Sequence, residues 1–296
     1  MLNSSRLSSK SSISRPNWLR RLVSLVAIAS LTCTLTIASA QAVPIGDLLF
    51  QGVQIMQFSN LSQRDEVQLA AQMHDNLLSK GTRLSTDFAI NRYVTDIGQR
   101  LVPSSRRSGL PFNFFVVQDK SVNAFATMGG YVYVTTGLLK AADNEAQVAS
   151  VISHEMGHIE KRHLIAQIKQ SMITRGLVST ILGNNSALAN IGVDLAFNRP
   201  RGREDEFQAD REGLRILRDS NYAVSAMPAF MRKLLRPRGN GPTFLSTHPA
   251  IPDRVKALDS AIKSGPTNRC DANPRLSTCG LDDVAYQSTV KQRIAI

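Results

Sequence analysis

Residues 144–160 read NEAQVASVISHEMGHIE, and this stretch decides how the chain is interpreted. Apolar residues recur along it at helical spacing, which predicts a long helix over residues 144–169. His154 and His158 are four residues apart, so on a helix both imidazoles lie on one face, one turn apart. Two nitrogens at that spacing suit a single tetrahedral Zn²⁺ ion. The stretch therefore predicts a helix that carries part of a metal site.

Glu155 completes the motif, because it projects from the same helix in a neighbouring direction. There its carboxylate can accept a proton from water without taking a coordination position. A third ligand must come from elsewhere, and the candidate is Glu206, in a helix predicted over residues 204–217. Asp210, one turn later, is placed to accept a hydrogen bond from a ligand imidazole. Taken alone, this acidic cluster is more typical of an ordinary helix start; together with the histidine pair, the ligand interpretation is favoured.

Two further histidines are not predicted to bind the metal. His163 does not fit the metzincin pattern, which requires glycine at the position of Lys161 and histidine at the position of Leu164. We predict that His163 is a helix-end residue. His74, among polar neighbours on an early helix, is predicted to lie at the surface.

The rest of the chain predicts an α+β fold that is mostly helical. Helices are expected before and after two short strands rich in β-branched and aromatic residues, and an apolar stretch interrupted by Gly183-Asn184-Asn185 predicts a helical hairpin. The predicted segments are helices 65–78 and 88–101, strands 112–117 and 131–135, the hairpin 172–197 and a helix at 253–262.

Four segments in order resemble a known family of zinc endopeptidases, the one that includes the CAAX prenyl proteases, HtpX and BepA. The segments are Asn123-Ala124-Phe125-Ala126 with residues 129–138, the histidine motif, Glu206 to Asp210, and Ser246-Thr247-His248-Pro249. The resemblance implies a gluzincin domain, with HExxH and a downstream ExxxD, that holds one Zn²⁺ per chain. It also implies a small sheet with an edge beside the zinc cleft.

The resemblance also suggests roles for individual residues. The strand at 131–135 and the preceding Asn123 and Ala124 would form that edge, where an extended substrate could add as a strand; an ordinary sheet strand is the alternative. His248 would lie near the metal, where it would either donate to a developing oxyanion or cover the open zinc position; a turn histidine is the alternative. Arg254 would also lie near the site, and its alternative is a surface salt bridge.

The first forty residues differ from the rest of the chain. They carry five basic residues and no acid, and an apolar run from Leu22 to Ala38 ends in Ala38-Ser39-Ala40. This arrangement is typical of a cleaved secretory signal. The alternative is an uncleaved anchor, because a mainly apolar run of seventeen residues stands at the lower limit for crossing a bilayer. We expect an exported protein, in the periplasm or another compartment outside the cytoplasm, with membrane attachment left open.

Charge and cysteine content narrow the range of expected binding partners and the role of the cysteines. Of the formal charge of +12, five units lie in the leader, which leaves a net of +7 from thirty Lys and Arg against twenty-three Asp and Glu. The chain has no basic block with interleaved aromatic residues, so nucleic-acid binding is not predicted. Peripheral contact with an anionic membrane is compatible with this charge. Without the leader, Cys270 and Cys279 remain and are predicted to form a structural disulfide.

These patterns predict three parts: a signal peptide at 1–40, a zinc metallopeptidase domain at 41–265 and an irregular tail at 266–296. The predicted function is hydrolysis of peptide bonds in unfolded or misassembled exported proteins, as in quality control of the cell envelope. No Ser or Cys nucleophile arrangement competes with this mechanism. One alternative is a chaperone or assembly factor that holds exported clients with little or no proteolysis. Another is a purely structural zinc, which four protein ligands would favour.

Overall fold

The structure is a computed structural model that describes residues 55–56, 58–175, 184–235 and 243–294. All of them belong to one unit, Phe50–Ile296. The predicted leader lies outside the described residues, so its cleavage stays a prediction. Within the described ranges, no helix combines the length and the apolar content needed to cross a bilayer.

Helices and strands follow one another in the predicted order, which confirms a mostly helical α+β fold. They are α1 (Gln63–Ser79), α2 (Phe88–Leu101), β1 (Asn113–Val117), β2 (Ala124–Ala126), β3 (Tyr131–Thr135), α3 (Thr136–Ala141), α4 (Glu145–Glu160), α5 (His163–Arg175), α6 (Asn185–Asn198), α7 (Arg203–Asp219), α8 (Ala226–Leu234), α9 (Thr243–Thr247) and α10 (Ile251–Ser264).

The long helix predicted over 144–169 is in fact two helices, α4 and α5. The Asn144 side chain caps the start of α4 by accepting a hydrogen bond from the Gln147 N–H. The chain then turns at Arg162, whose φ of +57° is left-handed and ends regular helix. Because of this break, the periodicity of α4 does not continue into α5. The side chains of α5 therefore do not follow the face of α4 that carries the histidine pair.

The sheet has three strands, with β3 in the middle, parallel to β1 and antiparallel to β2. The prediction that residues 131–135 form the edge is therefore wrong, because this strand is paired on both sides. An edge strand is instead β2, which begins at Ala124. Side chains alternate between the two faces: Val132 and Val134 join the core around α2 and α4, whereas Tyr133 joins the core of α1, α5 and α6.

The two arms of the predicted hairpin correspond to the end of α5 and to α6. These two helices pack on each other, and α6 also packs on α1. Met172, Leu188 and Val193 are buried there, as expected for core residues. The connection between the arms lies outside the described residues.

The C-terminal segment is more ordered than predicted. It contains short helical pieces, and the residues it buries in the main core are Cys270, Cys279, Tyr286 and Val290. The predicted bond between Cys270 and Cys279 is present. The Gly280 carbonyl accepts a hydrogen bond of 2.8 Å from the N–H of Ala146, in the first turn of α4. The tail therefore supports the helix that carries the histidine motif.

Candidate metal centre

Helices α4 and α7 approach one another closely at two glycines. A Cβ added to Gly157 would lie 2.6 Å from the Ala209 carbonyl oxygen, and a Cβ on Gly213 would lie 3.0 Å from the Cα and N atoms of His154. The first distance is shorter than real Cβ atoms show, and the second is tighter than most Cβ contacts, so the missing side chains allow the two backbones to approach closely. The close approach brings the acidic first turns of α7 within reach of the imidazoles on α4.

Four buried residues each offer one donor atom to a common point, called the metal point below. These atoms all lie within 4.8 Å of one another, and the residues are His154, His158, Glu206 and His248. The Nε2 atoms of His154 and His158 are 3.1 Å apart. Glu206 oxygens lie 3.3 Å from His158 Nε2 and 3.5 Å from His154 Nε2. His248 Nδ1 is 3.1 Å from Glu206 Oε1 and 3.3 Å from His154 Nε2. Facing lone pairs repel unless a proton or cation lies between them, and imidazole nitrogens with a carboxylate are a donor set that suits zinc.

A buried ion pair holds the outer nitrogen of His154. His154 Nδ1 lies 2.9 Å from Asp210 Oδ1, and donation along this contact leaves Nε2 free to face the metal point. Arg254 donates to both oxygens of Asp210 at 2.7 Å and approaches Glu206 Oε2 at 2.5 Å. Arg254 is fully buried, so the alternative of a surface salt bridge does not apply.

His163 holds His158 in a comparable way, although the sequence interpretation gave it no role at the site. It is the first residue of α5, is buried, and places its Nδ1 2.7 Å from His158 Nδ1. Its Nε2 lies 3.3 Å from Gln208 Oε1. Donation from His163 Nε2 to this oxygen leaves Nδ1 unprotonated, and Nδ1 can then accept from His158. On an unbroken helix His163 would point about 140° away from His158, so the break after α4 creates this contact.

Electrostatics of the cluster favour a charged carboxylate with mostly neutral imidazoles. Burial alone would raise the pKa of Glu206, but the surrounding imidazoles outweigh it and hold the pKa well below its usual value. Burial and the nearby Arg201 cation lower the pKa of His158. Burial also disfavours protonated His154, yet hydrogen bonds with Asp210 and Glu206 raise its pKa to about 9. Protonation of the His154 ring therefore competes with metal binding.

Glu155 lies beside the donor cluster without joining it. Its carboxylate is 3.4 Å from His248 Nε2 and 3.5 Å from Arg201 Nη2. Neither oxygen accepts a hydrogen bond from a described residue, although the side chain is fully buried. A buried carboxylate with unused acceptor capacity is suited to receive a proton from a small molecule bound next to it.

Residues 89–262 match the sequence pattern of Peptidase family M48. This chain belongs to that family. The resemblance drawn from the four sequence segments is thereby confirmed, and all four donor residues lie inside the matched range.

Several curated relatives of this M48 chain are proteases by name. Beta-barrel assembly-enhancing protease of Escherichia coli strain K12 is 31% identical over 213 residues, which cover 67% of this chain and 44% of the relative. Mitochondrial metalloendopeptidase OMA1 of Arabidopsis thaliana is 32% identical over 194 residues, or 64% of this chain and 39% of the relative. Metalloprotease LoiP of E. coli K12 is 26% identical over 243 residues, or 78% and 94%. The chain thus spans less than half the length of the first two of these relatives.

A second residue that the sequence interpretation missed is Arg201, in the turn between α6 and α7. Its backbone N–H donates to the Thr247 carbonyl at 3.0 Å, which ties this turn to the residue before His248. Its side chain is 1% exposed and faces Glu155, whereas Arg199 and Arg203 on either side are 55% and 66% exposed. The alternating arginines look alike in sequence, so only tertiary structure distinguishes the buried one.

The two predicted substrate-strand residues lie at the start of the edge strand. Asn123 and Ala124 are buried, and β2 packs against α4. Just before them, the Val122 carbonyl accepts a hydrogen bond of 3.0 Å from Phe244 N–H. The Phe244 ring stacks on His248 with 4.2 Å between centroids. The segment that carries His248 is therefore attached directly to the start of this strand. The prediction for His74 is wrong, since it is half-buried and lies 3.0 Å from the Tyr133 hydroxyl.

Proposed function

We propose that this M48 chain is an endopeptidase that binds one Zn²⁺ ion through His154, His158 and Glu206. The observation that carries the proposal is the convergence of these three donors beside Glu155, a buried carboxylate with no hydrogen-bond partner among the described residues. A purely structural metal would not require a free carboxylate next to it, because such a group is costly to bury. Membership of a peptidase family supports the same activity.

The residues of the chain divide the work of hydrolysis. Bound zinc supplies Lewis acidity, which acidifies water and polarises a peptide carbonyl. Glu155 accepts the proton of the attacking water at a carboxylate oxygen and returns it to the leaving amine nitrogen. Asp210 holds His154 in the required tautomer, and Arg254 holds Asp210. Water adds to the carbonyl carbon and the C–N bond breaks, so no covalent intermediate with the protein forms.

His248 contributes in two ways under this proposal. Its Nδ1 lies among the metal ligands while its Nε2 faces Glu155 at 3.4 Å, so the described arrangement closes the position that catalysis needs open. Substrate binding then requires the imidazole to move away from the metal point. Once displaced, the same ring can donate to the oxyanion that develops on the substrate carbonyl.

We further propose that the substrates are unfolded or misassembled exported proteins in an extracytoplasmic compartment of the cell envelope. A curated relative is named for enhancing beta-barrel assembly, and the leader pattern at residues 1–40 predicts export. An extended substrate would add along the side of β2 that faces away from β3, beside Asn123 and Ala124, through main-chain hydrogen bonds that tolerate varied side chains. Peripheral contact with a membrane is compatible with the net basic charge. The alternative is a holding chaperone with little or no proteolysis.

The test compares zinc-loaded wild type with Glu155→Gln on fluorescently labelled, unfolded casein, after zinc has been measured in both. We expect the variant to keep its zinc and to lose activity by about 10²- to 10⁴-fold, because the proton acceptor is gone. Glu204→Gln, at a side chain 70% exposed in the first turn of α7, is the matched control and should cleave normally.

Zinc-dependent cleavage by Glu155→Gln at the wild-type rate would contradict the proposed base. If the wild type is silent but His248→Ala cleaves, the covering role of His248 is supported. If both bind casein with zinc present and neither cleaves it, the holding alternative replaces the protease.

A further inference from the structure

We infer that Arg201 binds the substrate directly, by donating hydrogen bonds to the main-chain carbonyl oxygen of the residue that supplies the leaving amine. The inference rests on the proposed peptide hydrolysis and names a contact that neither the metal ligands nor Glu155 provide.

The first observation is that Arg201 is buried without hydrogen bonds from its side chain. The guanidinium is 1% exposed, and Nε, Nη1 and Nη2 all lack a hydrogen-bond partner among the described residues. Its nearest carboxylate oxygens, on Glu155 and Glu206, lie 3.5 Å and 4.0 Å away. A buried charged group that leaves its donors unused lowers stability. Such a group is expected where a ligand supplies the missing acceptor.

A second buried arginine shows what a structural role looks like in this molecule. Arg254 donates to both oxygens of Asp210 at 2.7 Å and also approaches Glu206. Planar guanidinium groups favour such paired contacts with carboxylates. Arg201 has the same chemical groups and the same burial, but it lacks this geometry.

The position of Arg201 relative to Glu155 indicates which part of a substrate it would meet. Glu155 must come within hydrogen-bond distance of the leaving amine nitrogen in order to protonate it. The carbonyl oxygen of the same residue lies about 3 Å from that nitrogen along the chain. The Arg201 Nη2 atom is 3.5 Å from Glu155 Oε2. The unused donors of Arg201 therefore lie within reach of the substrate carbonyl oxygen.

Charge favours a neutral acceptor over an acidic side chain. Glu155 already offsets the Arg201 charge at 3.5 Å, and Glu206 lies 4.0 Å away on the other side. A third carboxylate beside these two would be repelled in a site that excludes water. A main-chain carbonyl carries no net charge and occurs in every peptide, so the contact orients the substrate without selecting its side chains.

The experiment crosses variants of the enzyme with variants of one peptide, an eight-residue sequence copied from a cleavage site mapped in unfolded casein. In a second peptide, an E-alkene replaces the amide that follows the residue supplying the leaving amine, which removes the carbonyl oxygen in question. A third peptide has an ester there, which keeps that oxygen but removes the neighbouring N–H. The enzymes are wild type, Arg201→Met, Arg201→Lys and the exposed control Arg199→Met.

We expect the alkene to lower kcat/KM of the wild type by about 10- to 100-fold, as for loss of a hydrogen bond to a charged group, whereas the ester has little effect. Arg201→Met should lose a similar factor on the natural peptide and almost nothing more on the alkene. Arg201→Lys should fall in between, and Arg199→Met should behave like wild type. Equal loss from the alkene in wild type and Arg201→Met would overturn the inference, since Arg201 would then act only through Glu155.

The melting temperature is a second measurement, because a structural role for Arg201 predicts that it falls when the arginine is replaced. In the Glu155→Gln background no carboxylate at 3.5 Å is left without its cation, and Arg201→Met there replaces an unsatisfied buried cation with an apolar side chain of similar length. The melting temperature of the double variant should therefore equal or exceed that of Glu155→Gln. A clear decrease would mean that Arg201 is a structural residue.

Failure of the proposed hydrolysis can be separated from failure of this inference. If neither wild type nor His248→Ala with bound zinc cleaves any peptide, proteolysis is refuted, and the same cycle is then measured as binding of fluorescently labelled peptides. A loss of affinity for the alkene in wild type but not in Arg201→Met would still support the contact. Equal affinities for the natural and alkene peptides, or no binding by wild type, would overturn it.

Discussion

The two ends of the α4–α7 helix pair contain similar charged groups in different states of pairing. Towards the metal point, Glu155 and Arg201 are buried and face each other at 3.5 Å without hydrogen bonds. Two turns away, Glu212 contacts Lys161 at 2.9 Å and Arg215 at 3.0 Å. Arg215 in turn donates to both oxygens of Glu160, at 3.0 Å and 2.9 Å.

The difference shows how one pair of helices serves two purposes. At the paired end, charges satisfy one another and join α4 to α7, which contributes to stability. At the metal end, some charges are left without partners, and an unsatisfied buried group is expected mainly where a ligand or a reacting molecule completes it. Replacing an arginine by methionine should therefore have consequences that differ with the burial and the pairing of the charge it removes.

The largest effect is expected for Arg254→Met, because it removes the partner of two buried carboxylates at the metal end. Asp210 and Glu206 would be left without their cation, and breaking such a buried pair costs about 3–5 kcal/mol. Urea unfolding of the zinc-free protein measures this loss. The control is Arg106→Met at the paired end, whose side chain is 59% exposed and whose removal should cost about 0–1 kcal/mol. Equal losses for both variants would remove the distinction between the ends.

A smaller effect is expected when the support of a metal ligand is removed. His163→Phe keeps a ring in the pocket but cannot accept the hydrogen bond from His158, and loss of such a partner lowers metal affinity by about 10- to 100-fold. Zinc affinity is measured by competition with a chelator of known strength. His163→Asn retains an acceptor near the position of Nδ1 and should recover much of the affinity. Unchanged zinc affinity in His163→Phe would show that the contact does not orient His158.

The smallest effect concerns the pH dependence of the paired end. Burial disfavours ionised Glu212, but Lys161, Arg215 and Arg106 outweigh it and lower its pKa from 4.5 to about 2. Because the folded pKa is the lower one, the ion pairs stabilise the fold above pH 4.5, and this contribution is lost as the pH falls towards 2. We expect about 1 kcal/mol from this network after solvent screening.

The measurement for this last prediction is the free energy of unfolding of wild type and Glu212→Gln between pH 7 and pH 2. The difference between the two proteins should be constant near neutral pH and should shrink below pH 4.5. A difference that does not change over this range would show that ionisation of Glu212 contributes nothing.

The sequence predicted those parts of the site that depend on spacing along a single helix. His154 and His158 at i and i+4, and Glu206 and Asp210 at the same spacing on α7, lie together in the structure as expected. Family resemblance suggested Arg254 and His248 near the metal, and in the structure both contact Glu206. The catalytic role of Glu155 and the roles of His248, Asn123 and Ala124 stay predictions until activity is measured.

The missed features depend on contacts between distant segments. His163 reaches His158 because the helix breaks at Arg162, and a periodicity argument extends a helix through such a residue. Arg201 is selected by the packing of its turn against Thr247, which no local pattern encodes. The central place of β3 follows from pairing with β1 and β2, and strand propensity does not specify neighbours. The short helices of the C-terminal segment pack against the main core of the domain, and the composition of the segment does not indicate that contact.

The hydrogen bond from Ala146 to Gly280 has a consequence for the order in which the molecule matures. Synthesis proceeds from the N-terminus, so Gly280 becomes available only after all of α4 and α7 have been made. A contact between residues so far apart in sequence also forms late, because closing a long loop is slow. The N–H of Ala146, in the first turn of the helix with the histidine motif, therefore gains its hydrogen-bond acceptor only after α4 and α7 have been synthesised.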